Sequence, residues 1–219
     1  MVGHRRHLDR ELETIEAKVV ELFGMVCEDL PGVTEALLNG NNETAGQLAD
    51  HEQATDALYQ EVEQLVCRSI LLWAPLASDL RFLISVLRIA PELERSHDLV
   101  CHIAARAGNI AGAELSPRCH TLIRRMSELA CDMWRQAMDC WCQRDRFAVP
   151  ALTAIDNQMD ELHASLVAEL ASGPMAQPVA MEMTLVARFY ERLGDHAANI
   201  ARRVTYLAGS TALAESATG

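Results

Sequence analysis

The sequence predicts an all-α protein built as two pseudo-symmetric three-helix bundles. Three observations carry the prediction. Apolar residues recur at three- and four-residue spacing almost throughout the 219 residues, the period of helices with one buried face. Gly and Pro together number 18, about 8% against an average near 12%, and aromatic residues make up 5%. That is too little turn and strand chemistry for a sandwich or barrel. The pattern of helices and acidic pairs also recurs once along the chain, and half of the residues are hydrophobic, enough for a sizeable core.

Leu12, Ile15, Val19, Leu22, Val26 and Leu30 form the apolar stripe of the first helix. Pro31-Gly32 is expected to bend or briefly break it before it resumes to Leu38. Asn39-Gly40-Asn41-Asn42 is a turn by composition. A second helix is expected over about 43–72, until Trp73-Ala74-Pro75 breaks the chain. The third covers about 76–107, with a kink expected at Pro91, and a small-residue linker follows over 108–117. Helices over about 118–143, 146–171 and 178–208 are separated by Arg144-Asp145 and by Ser172-Gly173-Pro174. The small, polar tail after Gly209 is expected to fray.

Six helices in the order three, linker, three point to a duplication with halves 1–110 and 111–219. The third and sixth helices align at an offset of 97, where Glu94-Arg95-Ser96-His97-Asp98 meets Glu191-Arg192-Leu193-Gly194-Asp195. The second and fifth align at an offset of 104, where the segment from Glu52 to Leu58 meets that from Asp156 to Leu162. The difference between the offsets is taken up by a shorter connection in the second half.

Charge restricts the partners. With 31 acids against 19 Lys and Arg, the net charge of −12 repels nucleic-acid phosphates and anionic headgroups, and suits cations or a basic protein surface. Asp9, Glu11 and Glu13 interrupt the region where an apolar signal core would sit. The longest apolar run, Ile70 to Ala77, is far short of the roughly 20 residues of a membrane span. Seven cysteines, odd in number and without framework spacing, read as reduced thiols in a cytoplasmic protein.

Four segments read acid-x-x-x-acid: Glu52/Asp56, Glu94/Asp98, Asp156/Asp160 and Glu191/Asp195. On a helix, residues i and i+4 project from one face, about 6 Å apart, and hard carboxylate oxygens in that geometry bind or bridge cations. A chain with this acid content carries about four such pairs by chance and six are present, so the count alone says little. The signal is that four of the six fall at matched positions in the two repeats. If the second and third helices of a half lie side by side, four carboxylates converge, and at an effective dielectric near 20 each like-charge pair costs roughly 3 kcal/mol. Such a quartet requires metal, arginine or protons. The alternative on spacing alone is a solvated acidic stripe. Arg95 and Arg192, about 100° round the helix from each Glu, are better placed for a neighbouring helix than for the cluster.

The segments Pro75-Leu76-Ala77-Ser78-Asp79-Leu80-Arg81, Leu87-Arg88-Ile89-Ala90 and Glu94-Arg95-Ser96-His97-Asp98 resemble the first repeat of the PhoU family. Phe189-Tyr190-Glu191-Arg192-Leu193-Gly194-Asp195-His196-Ala197-Ala198-Asn199-Ile200-Ala201 is similar to its second repeat, and the likeness covers essentially the whole chain. The resemblance implies a cytosolic accessory of phosphate-specific transport that damps uptake and helps switch off the phosphate-starvation response. It implies contacts with the transporter's ATPase subunit and a membrane sensor histidine kinase, and a homodimer. It also implies metal ions (iron, manganese, magnesium or zinc) on Glu52, Asp56, Glu94, Asp98, Asp156, Asp160, Glu191 and Asp195. The chain departs from the family pattern where Ser96-His97 replaces Ile-Gly, and where Pro91-Glu92 displaces an acid before Glu94.

Two other classes fit less of the sequence. A di-iron carboxylate enzyme needs Glu-x-x-His on two helices; Glu94-Arg95-Ser96-His97 fits once and Asp160-Glu161-Leu162-His163 only loosely. A structural helical adaptor would hold no metal. No glycine-rich phosphate loop, GxSxG or HExxH is present, so no catalysis is expected. Met25, Met126, Met133, Met138, Met181 and Met183 read as packing, and His51, His102 and His120 as ordinary surface or core histidines.

Overall fold

The computed structural model describes residues 2–39, 43–110, 113, 115–145, 147–173 and 175–216. It consists of six helices: α1 (Val2–Asn39), α2 (Glu43–Trp73), α3 (Ala77–Asn109), α4 (Pro117–Gln143), α5 (Val149–Ser172) and α6 (Gln177–Ser216). Of the breaks read from the sequence, Ala74-Pro75, Arg144-Asp145 and Gly173 lie between helices, while Trp73 and Ser172 close α2 and α5. At the start of α4 the Ser116 hydroxyl accepts from the Cys119 amide at 3.1 Å and Pro117 opens the first turn, both favoured N-terminal features. Arg144 closes α4 in the left-handed conformation, φ 53°.

α1 runs through Pro31 without interruption, contrary to the expected break. Pro31 stands on the exposed face, while Leu30 and Val33 beside it are fully buried. The lost backbone bond therefore falls where water serves the freed carbonyl, and core contacts on the opposite face hold the axis. Pro91 likewise lies inside α3. α6 continues to Ser216, so the segment after Gly209 extends the helix instead of ending it.

Within each half all three helices pack on one another: α1, α2 and α3 in the first, α4, α5 and α6 in the second. Across the halves α1 packs on α4 and α3 on α6, each pair antiparallel. The inner helices α1, α3, α4 and α6 contribute a single continuous core that includes Phe23, Ile89, Trp134, Trp141 and Tyr190, all fully buried. α2 and α5 pack on its outside and each adds only a sparse stripe to it, Leu58, Val62 and Val66 on α2 and Leu152, Met159 and Leu166 on α5. Their other faces are free to carry acids. Met126, Met133 and Met183 are buried in the core, but Met181 is exposed: it lies two residues from Met183, which turns it to the other side of α6.

Polar contacts bolt the halves together. Thr34 of α1 meets Ser127 of α4 and Tyr190 of α6, both at 2.7 Å, and donates to the Leu30 carbonyl at 2.8 Å. His196 of α6 lies 3.1 Å from the Ser96 hydroxyl and 3.2 Å from Glu92, both on α3. At the far end Arg144 stacks over Trp141, 4.1 Å from its centroid, and pairs with Glu16 of α1 at 2.7 Å. Among the described residues no helix is long and apolar enough to cross a membrane.

Candidate metal centres

Because α2 and α5 are peripheral, each presents its acids to the outer face of the helix beside it. In the first half the carboxylates of Asp56 on α2 and of Glu94 and Asp98 on α3 have oxygens within 4.8 Å of one another. Glu94 and Asp98 are one helical turn apart and partly buried, and Asp56 reaches them from the next helix. Burial first, then the charges of Asp98 and Asp56, push the Glu94 carboxyl above its ordinary range, against a smaller opposing effect of Arg95. Three hard oxygen donors at this spacing and in this state of charge repulsion suit a divalent or ferric cation. Glu52 is exposed and stands outside this close group.

The second half holds Asp156 and Asp160 on α5 opposite Glu191 and Asp195 on α6. Burial, then Asp195 and Asp160, raise the Asp156 carboxyl, with Arg202 opposing. Burial, then Asp195, raise Glu191, against Arg188 and His163, while Asp160 adds to the rise. The four acids therefore act on one another across the α5–α6 groove. They are spread more widely than the first trio, and Glu191 is paired with Arg188 one turn back on α6. Gly194 makes the close approach feasible: a Cβ there would lie 3.1 Å from the Asp156 Oδ1 and 3.4 Å from Met133 Sδ and Met159 Cγ.

Beside the first trio lies a polar chain that the spacing of acids does not reveal. Asp29 of α1 accepts from His97 Nε2 at 2.9 Å and from His51 Nδ1 at 3.0 Å, and Cys101 Sγ is 3.7 Å from His97 Nδ1. Burial pushes Asp29 up, but the hydrogen bonds from His97 and His51 outweigh it and hold the carboxyl below its ordinary value. The same contact raises His51, which is therefore an ion-pair partner and not an isolated surface histidine. His102 packs its ring 5.5 Å from Phe189. The one sequence signal for this chain is the departure at His97. Asp29 has none, because its role depends on how α1 docks.

Comparison with known proteins gives this geometry a context. The family model described as PhoU domain matches residues 19–107 and again residues 123–204. The chain belongs to the PhoU family. The phosphate-specific transport system accessory protein PhoU homolog of Zymomonas mobilis is 30% identical over 223 residues, spanning 100% of this chain and 94% of that protein. The protein of the same name from Aquifex aeolicus is 33% identical over 190 residues, covering 84% and 85% of the two chains. The crystal structure of PhoU from Pseudomonas aeruginosa superposes with a TM-score of 0.85 at 26% identity, covering 91% of this chain and 97% of the other. The all-α fold read from the sequence is that of this PhoU structure, and each of the two family matches contains one of the acidic patches.

Proposed function

We propose that this PhoU-family chain is a cytosolic regulator of phosphate homeostasis. It damps uptake by a phosphate-specific transporter and represses the phosphate-starvation response. It does so as a homodimer, through contacts with the transporter's ATPase subunit and a membrane sensor histidine kinase, and performs no catalysis of its own. Its units are 1–110 and 111–219, a division supported by the double family match over 19–107 and 123–204. Each unit offers a metal site: Glu52, Asp56, Glu94 and Asp98 in the first, Asp156, Asp160, Glu191 and Asp195 in the second. The ion is iron, manganese, magnesium or zinc.

The observation that carries this reading is the convergence of Asp56, Glu94 and Asp98 in a chain that matches, over its whole length, an accessory protein of phosphate-specific transport. Neutralising such a group is the simplest use of bound metal, and it would tie the peripheral α2 to α3. A net charge of −12 favours cation entry and a basic partner surface. The test is genetic and chemical. Deleting the gene should raise phosphate uptake and phosphate-regulon expression in phosphate-rich medium; unchanged reporter activity in a strain without a second copy contradicts the regulatory role. Glu191→Ala with Asp195→Ala should remove metal from the second patch with the helices intact. Equal metal content in parent and variant by elemental analysis contradicts the ligand assignment.

A further inference from the structure

Glu94, His97, Asp98 and Cys101 occupy positions i, i+3, i+4 and i+7 of α3, so all four share one face. The close carboxylate group uses two of them. The other two, His97 and Cys101, are nitrogen and sulfur donors, and they are set as a pair. His97 is fully buried, and its Nε2 is fixed by Asp29 at 2.9 Å. An ionised carboxylate only accepts, so Nε2 carries a hydrogen, and the neutral imidazole that a metal requires has its lone pair on Nδ1. A carboxylate on the outer nitrogen is the usual arrangement behind a metal-ligating histidine. The lone pair faces Cys101 Sγ at 3.7 Å. Two ligands on one tetrahedral zinc, at about 2.0 Å for nitrogen and about 2.3 Å for sulfur, stand roughly 3.6 Å apart.

We propose that the first half holds a soft, thiophilic divalent cation between Cys101 Sγ and His97 Nδ1, a position beside the carboxylate trio and distinct from it, with zinc the ion of choice. Solvent completes the tetrahedron, and the ion lies in the field of the adjoining acids on the same face of α3. Without a cation, burial and the surrounding acids push the Cys101 thiol up to about 12, and coordination reverses that balance by releasing the thiol proton to solvent. The second half is a built-in control: at the offset of 97 that aligns α3 with α6, His97 meets Gly194 and Cys101 meets Ala198. The soft position therefore exists in one half only.

This position deepens the metal reading of the first patch, and the experiment separates the two. The full-length protein is titrated with Co²⁺ as a spectroscopic substitute for Zn²⁺, and with Mn²⁺, which prefers oxygen donors. The parent should develop a near-ultraviolet sulfur-to-cobalt charge-transfer band. Cys101→Ala, which installs the residue found at the equivalent place in the second half, should lose the band and bind Zn²⁺ at least tenfold more weakly while its Mn²⁺ binding is unchanged. Asp29→Asn should retain the band but weaken Zn²⁺ by about 10–100-fold. Absence of a band in the parent, or a band that survives Cys101→Ala or Cys101→Ser, overturns the proposal. A parent that shows the band but binds no Mn²⁺ sustains it while removing the carboxylate reading.

Discussion

Thr34 offers a measurement in which the sign of an effect, and not only its size, is predicted. Its hydroxyl is one donor and two acceptors in a buried junction of α1, α4 and α6, and all three capacities are used, by the Leu30 carbonyl, Ser127 and Tyr190. Thr34→Val keeps the shape and removes the hydroxyl. The Tyr190 hydroxyl, on a fully buried side chain, then loses its 2.7 Å partner and has only Ser127 in reach, and leaving it under-satisfied costs about 1–3 kcal/mol; with the other lost hydrogen bonds the total is about 2–4 kcal/mol. Tyr190→Phe alone removes one bond and leaves Thr34 with two, a cost of about 1 kcal/mol. In the Thr34→Val background the same Tyr→Phe change deletes a hydroxyl held by Ser127 alone and should be neutral to stabilising, by up to about 1 kcal/mol. The four proteins form a double-mutant cycle, read as urea midpoints at constant m-value, with about 2–4 °C in Tm for each kcal/mol. If Tyr190→Phe costs the same in both backgrounds, the three hydroxyls do not form one network and the reasoning fails.

Further outcomes concern the acids. Gly194→Ala should gain up to about 1 kcal/mol of helix propensity but displace the Asp156 carboxylate, 3.1 Å from the new Cβ; the expected result is a Tm within a few degrees of the parent and weaker metal binding at the second patch. Glu94→Gln should relieve repulsion within the first trio, raising the metal-free Tm slightly, by less than about 1 kcal/mol of stability because the group is half-exposed, while Mn²⁺ affinity drops in calorimetry. The pH dependence follows from sign. Glu94, Asp156 and Glu191 sit above their unfolded values, so their contribution to metal-free stability is full below the ordinary carboxylate range and is lost as pH rises through the raised values. Thermal melts of the metal-free protein should therefore improve from neutral toward mildly acidic pH, until Asp29, held below its unfolded value, begins to protonate. Saturating Mn²⁺ should reverse that slope, since protons compete with metal for the same oxygens.

The sequence reading and the structure part company at identifiable places. Helices were legible because each inner helix buries a stripe at helical spacing, as Ile15, Val19, Leu22 and Val26 do on α1. The turns at Ala74-Pro75 and Arg144-Asp145 were legible from composition. The course of α1 through Pro31 was not, because local propensity cannot register that the proline faces water while its neighbours are locked in the core. The acid pairs were visible from their spacing and repetition. That Asp56 joins Glu94 and Asp98 while Glu52 stays outside depends on the depth and rotation of α2 against α3, which no one-dimensional pattern records. Asp29 lies further from view still, since it reaches His97 from α1 across 68 positions of sequence.

The contacts between the halves carry a historical implication. α1 and α4 are the first helices of their respective units, and α3 and α6 the last; each packs antiparallel against its own counterpart. Self-pairing of equivalent surfaces is the signature of an isologous two-fold interface. A half-length ancestor with these faces would have left the partners of Phe23 and Trp134, which meet edge-on at 6.0 Å across α1 and α4, open to water unless two copies associated. Fusion of such a dimer into one chain removes the concentration dependence of assembly. It would also free the two copies to diverge, as they differ where His97 and Cys101 align with Gly194 and Ala198.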